Sequence, residues 1–185
     1  MLKRKLPFFI LSAIILCLSL VHNHINAAGK RPTSTPSPNQ VHEAPDSQGQ
    51  KGKVYQLETK TIEGHPLSFS GLKGKLIIVD FWATWCPPCI AEVPHFVDLQ
   101  NEYGPRGLQI VGISLDDTVD PVKPFVSEYK VNYPIILGSQ EDLSSFGRLQ
   151  GIPTTFIFNR NQELIAKVVG YRDKAYFEAI IKANI

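Results

Sequence analysis

Cysteine is scarce here: three among 185 residues, at positions 17, 86 and 89. A framework of long-range disulfides is thereby excluded, because Cys86 and Cys89 stand too close together to staple distant elements and would gain little from loop closure. The five histidines make no metal-ligand spacing with one another. A large excess of charge of one sign is missing too. Removing Lys3, Arg4 and Lys5 from the 19 basic residues leaves 16 against 17 acidic ones, a net of −1, which excludes a nucleic-acid surface. No internal repeat is present, and no Arg-Arg pair.

The apolar run from Leu6 to about Val21, behind Lys3-Arg4-Lys5, reads as the core of a secretory signal spanning residues 1–28. It is short for a full membrane span of about 20 residues. The small-residue site at Ala27-Ala28 has a poor upstream partner in Ile25 or Asn26. The expectation is therefore an extracytoplasmic protein, in the periplasm or on the outer face of the cytoplasmic membrane, either cleaved and soluble or tethered by an uncleaved signal. Cys17 lies inside this run behind Leu16, where a lipidation site wants a small side chain. Residues 29–52 are rich in Pro, Ser, Thr, Gln and Gly, cannot bury enough apolar surface to order themselves, and read as a linker. Residues 53–185 read as one domain of ordinary size.

Within that domain, Val54 to Leu57 and Leu67 to Phe69 read as short strands around a turn at Glu63-Gly64. Leu76 to Phe81 and Leu108 to Ser114 are continuous apolar runs suited to strands covered on both faces. A helix follows the thiols and runs to about Tyr103, ended by Gly104-Pro105. A second spans Pro121 to Tyr129, with Asp120 as candidate N-cap. Pro134 to Leu137 is a short strand and Asp142 to Leu149 a short helix. Thr154 to Phe158 and Glu163 to Val169 form a hairpin. A helix from Asp173 to about Ala183 closes the chain. Strands alternate with helices and finish in a hairpin, so the fold class is α/β: a mixed central sheet between helices, in a thioredoxin-like layout.

The chemistry concentrates in Asp80-Phe81-Trp82-Ala83-Thr84-Trp85-Cys86-Pro87-Pro88-Cys89. Two cysteines at C-x-x-C spacing, directly after an apolar strand, can cycle between dithiol and disulfide. At a helix start, Cys86 meets free amides and the helix dipole, which favour its thiolate, the nucleophile of disulfide exchange. Cys89, one turn in, is the shielded resolving thiol. Pro87 and Pro88 lack N–H groups, so Cys86 leans on the amides of Cys89 and Ile90. That predicts a less stabilised thiolate and a pair that prefers to be oxidised. Asp80, near the end of a buried strand, is a candidate to take the proton of Cys89. Glu92 either tunes that proton or is a solvated helix residue. Ile152-Pro153 precedes a strand; a cis bond there would expose the Ile152 backbone to an extended substrate, and a trans strand-starter fits equally well. Trp85 offers a flat apolar docking face. Trp82 and Phe81 suit the core, His95 the helix surface, and His65 has no assigned role.

With the decapeptide above, Glu92-Val93-Pro94 after it and Gly151-Ile152-Pro153-Thr154-Thr155 later, the chain resembles the TlpA/ResA-like branch of thioredoxins from about Val54 to its C-terminus. The resemblance implies an exported, often membrane-tethered thiol–disulfide oxidoreductase that needs no cofactor. It implies a cis bond before Pro153, Cys86 as attacking thiol, Cys89 as resolving thiol, Glu92 as an active-site acid, and an inserted segment at Leu115 to Leu137. Substrates in that branch include haem-site cysteines of apocytochrome c and metal-site thiols, with electrons from a membrane thiol relay. Asp80 departs from the branch, where Asn is common, so this chain carries both acids and which one moves the proton stays open. A peroxiredoxin needs Pro-x-x-x-Thr-x-x-Cys, and the matching positions hold Val79 and Ala83. A disulfide oxidase or isomerase, and a copper chaperone using both thiolates, remain as alternatives.

Overall fold

A computed structural model describes residues 55–185. The expected signal, the linker, Cys17, Lys53 and Val54 lie outside the described residues. Eleven regular elements follow in order: β1 (Glu58–Lys60), β2 (Pro66–Ser68), β3 (Leu76–Trp82), α1 (Pro87–Tyr103), β4 (Leu108–Ser114), α2 (Val122–Glu128), β5 (Ile135–Leu137), α3 (Gln140–Phe146), β6 (Thr154–Phe158), β7 (Leu164–Val169) and α4 (Lys174–Asn184). Single 3-10 turns occupy Ser70–Leu72 and Gly104–Arg106.

The main sheet has the order β5-β4-β3-β6-β7. β3, β4 and β5 run parallel, whereas β6 is antiparallel to β3 and β7 to β6. All seven residues of β3 are buried, as an apolar central strand covered on both faces requires. One apolar cluster gathers Ile78, Trp82, Phe96, Ile110, Ile135 and Phe177 between the sheet and the faces of α1, α2 and α4. The other is aromatic, with Tyr55, Phe69, Phe81, Phe146, Phe156 and Phe158 on the opposite face.

Several expectations need correction. Over its described part, Tyr55 to Leu57, the first expected strand is not formed: Tyr55 and Leu57 are core residues, and the hairpin strands are β1 and β2, turning at Gly64 with φ +90. Asp120 does not cap α2. The N-cap is Pro121, already in helical conformation, with no side-chain cap, and the Val122 and Lys123 amides donate to the Val119 carbonyl. The short helix starts at Gln140 because Ser139 caps it. The Ser139 hydroxyl accepts from the Asp142 amide at 3.1 Å, and the Asp142 carboxylate accepts from the Ser139 amide at 2.9 Å, a reciprocal capping box. It stops at Phe146, before Leu149, where Gly147 takes φ +81. The segment from Leu115 to Leu137 holds α2 and β5, so its last strand belongs to the sheet edge.

Candidate active site

β3 carries the chain to the parallel end of the sheet, where Ala83 to Cys86 form a turn closed by the Cys86 amide on the Ala83 carbonyl at 3.2 Å. Cys86 is the N-cap of α1 and stands in extended conformation, with Pro87 and Pro88 at the next two positions. Its Sγ is bonded to that of Cys89, with the Cα atoms 5.3 Å apart. The two cysteines are 4% and 1% exposed, so Cys86 is the more accessible.

The Cys89 amide donates to Cys86 Sγ at 3.3 Å. The Ile90 amide does not reach the sulfur, contrary to the sequence reading, because it donates to the Cys86 carbonyl at 3.0 Å as the first helical hydrogen bond. An N-cap side chain is served by the second and third amides of the helix. Pro88 occupies the second position and has no amide to give. Pro87 and Pro88 are both exposed beside the disulfide.

The Ile152–Pro153 bond is cis. It brings the Ile152 carbonyl to 3.9 Å from Cys86 Sγ; Ile152 is half-buried and Pro153 buried. Trp85 is 66% exposed next to the disulfide, whereas Trp82 and Phe81 are core residues. His95 is a half-buried residue of α1, with Nε2 at 3.1 Å from the Tyr171 hydroxyl.

Both acids are buried, Asp80 on β3 and Glu92 on α1, one turn after Cys89. Asp80 is buried between the Gly112 and Thr155 backbones, and its Oδ1 accepts from the Thr155 hydroxyl at 3.1 Å. Burial, then the Glu92 charge, push its carboxyl well above the usual range, against the Thr155 bond. Glu92 is fully buried, not the solvated helix residue that sequence left open. Its Oε1 accepts from the Arg172 amide at 2.8 Å, while Oε2 has no protein partner. Burial raises it to about 7, opposed by the hydrogen bond and charge of Arg172. Burial and both carboxylates push up the hydroxyl of Tyr133 in turn. One buried face thus brings Asp80, Glu92 and Tyr133 within electrostatic reach of one another, and nothing in local sequence pointed to Tyr133. Asp116 and Thr84 were missed as well: the Thr84 amide and hydroxyl both bond the Asp116 carboxylate. An acid just past the end of a buried strand was the available signal.

Among the described residues, no group of three or more His, Cys, Asp or Glu is placed to hold a metal ion, and no helix is long and apolar enough to cross a membrane. A cysteine pair joined as a disulfide, with one amide donor on its outer sulfur, is chemically able to undergo thiol–disulfide exchange, and buried acids of raised pKa are able to hold a proton.

Comparison with known proteins agrees with this chemistry. The family model described as the AhpC/TSA family matches residues 42–167. Thiol-disulfide oxidoreductase ResA of Bacillus subtilis (strain 168) is 30% identical over 173 residues, covering 91% of this chain and 88% of that protein. ResA of Bacillus thuringiensis subsp. konkukian (strain 97-27) is 27% identical over 186 residues, covering 98% of each. A thiol:disulfide interchange protein of the thioredoxin family from Chlorobium tepidum TLS superposes with a TM-score of 0.69 at 34% identity, over 72% of this chain and 96% of that one. The chain is therefore a member of the AhpC/TSA family, in its thioredoxin-fold branch of ResA-type thiol-disulfide oxidoreductases.

Proposed function

We propose that the protein works outside the cytoplasm as a reductant of protein disulfides. The Cys86 thiolate attacks a substrate disulfide and forms a mixed disulfide, releasing one substrate thiolate. Cys89 then attacks Cys86 Sγ, its proton passing to the carboxylate pair Asp80–Glu92, and the second substrate thiolate leaves. Two electrons have moved from the dithiol to the substrate, and Cys86–Cys89 is a disulfide again. Ile152 and Pro153 line the substrate's backbone, while Trp85, Pro87 and Pro88 meet its side chains. Cysteines of haem or metal sites are the substrate class, and a membrane thiol relay restores the dithiol. The N-terminal apolar run supports export and a membrane tether.

One observation carries the direction of exchange: a single backbone amide reaches Cys86 Sγ, since Pro88 stands where a second would be. A thiolate with one donor is modestly stabilised, so the dithiol form gives up its electrons readily. Equilibration with dithiol buffers of known potential at neutral pH, followed by alkylation, tests it. A potential near about −270 mV or lower is the expected result. One near about −120 mV, typical of strong oxidants, makes the protein a disulfide donor instead.

A further inference from the structure

We propose that Asp116 is a positioning residue for substrate docking: through Thr84 it fixes the turn that presents Trp85 beside the disulfide. The inference rests on the thiol-exchange reading above. Asp116 lies two residues past the end of β4 and is 6% exposed. A buried carboxylate is costly unless donors surround it. Among the described residues Asp116 makes no ion pair, and three donors converge on it instead. The Thr84 amide reaches Oδ2 at 3.0 Å, the Thr84 hydroxyl Oδ1 at 2.6 Å and the Ser114 hydroxyl Oδ2 at 2.7 Å. The Asp116 amide donates back to the Ser114 hydroxyl at 3.1 Å, so the acceptor is itself held in place.

The anchored residue matters because of where it sits. Thr84 is the first interior position of the Ala83–Cys86 turn, and Trp85 is the second. The backbone leaving β4 is clamped to the backbone leaving β3 by the Leu115 amide on the Trp82 carbonyl at 2.7 Å. Trp85 itself is 66% exposed, and no aromatic partner steadies its ring among the described residues. Its direction is therefore set by the turn, and the turn is set by Asp116. Alanine at position 116 removes all three acceptor contacts and leaves the Thr84 amide, the Thr84 hydroxyl and the Ser114 hydroxyl without them.

A protein disulfide must dock on Trp85, whereas a small disulfide needs only access to the sulfur. The full chain is therefore assayed with insulin as the protein disulfide and oxidised glutathione as the small one, in wild type, Thr84→Val, Thr84→Ser and Asp116→Ala. Thr84→Val and Asp116→Ala are expected to raise KM for insulin about tenfold, which corresponds to about 1.4 kcal/mol of docking. The rate with glutathione and the potential of the Cys86–Cys89 pair should stay at wild-type values. Thr84→Ser, which keeps the hydroxyl, should restore the insulin KM. An unchanged insulin KM in Thr84→Val overturns the proposal. So does an equal loss on both disulfides, which would mean the thiols themselves were disturbed. Wild type inactive on both disulfides sinks the exchange reading, a separate outcome.

Discussion

Two buried carboxyl groups that act on one another are the residue-level oddity of this site. Among the described residues neither Asp80 nor Glu92 forms an ion pair, although the Arg172 charge acts on Glu92, and each is raised first by burial. The consequence for stability has a definite sign. An acid of raised pKa binds protons more tightly folded than unfolded, so stability falls as pH rises between the two values. For Glu92 that window runs from 4.5 to about 7, and full ionisation costs the fold on the order of 3 kcal/mol. Asp80 acts in the same direction. Urea unfolding should therefore show wild type losing stability from pH 5 to pH 8, with Glu92→Gln giving a shallower slope and a more stable protein at pH 8. Glutamine still accepts from the Arg172 amide, so a variant as steep as wild type would move the source of the slope elsewhere.

At the scale of the element, α1 is built to hold an anion and then deprived of part of that capacity. Helix starts offer free amides, and Cys86 as N-cap should receive those of the second and third positions. Among the described residues only the Cys89 amide arrives. Pro87 fills the first position, whose amide points away from the cap in any case, so Pro88 is the residue that matters. Pro88→Ala supplies the missing donor. A hydrogen bond to a charged group is worth about 1.5–3 kcal/mol. The Cys86 thiol of this variant should titrate about one pH unit lower or more, and the pair should become more oxidising by about 30 mV or more. Iodoacetamide alkylation against pH reads the first and equilibration with dithiol buffers the second. Pro87→Ala should leave both values near wild type.

Across the whole molecule, the sheet separates stability from chemistry. Cys86 and Cys89 belong to the cluster beneath α1. The opposite face packs aromatic rings, with Phe146 at 5.1 Å from Phe81, 5.2 Å from Phe156 and 5.4 Å from Tyr55 between centroids. Removing one such ring leaves a cavity that costs about 3–5 kcal/mol. Phe146→Ala should lose that much in urea unfolding while the potential of the Cys86–Cys89 pair stays unchanged, because β3 lies between the two faces. A shift in potential would mean that the faces communicate through the sheet.

Sequence alone determined the parts whose cause is local. β4 and β6 have the bounds that their apolar runs give, and β3 runs one residue further, to Trp82, because that residue pairs with Ser114. The redox pair was legible because C-x-x-C at a helix start brings two sulfurs together within one turn. Asp80 was legible as a buried acid because it interrupts an apolar strand. Where boundaries slipped, the reasons differ: Ser139 rather than Asp142 caps α3, one polar residue among several in a row, whereas α2 starts at Pro121 with no side-chain cap at all, its first amides served by the Val119 carbonyl. Glu92, Tyr133, Asp116 and the Arg172 amide were decided by tertiary structure. Each acts on a partner at least 32 residues away or on a group from another element, and burial, which turns an ordinary glutamate into one of pKa about 7, belongs to the assembled core rather than to the residue that is buried.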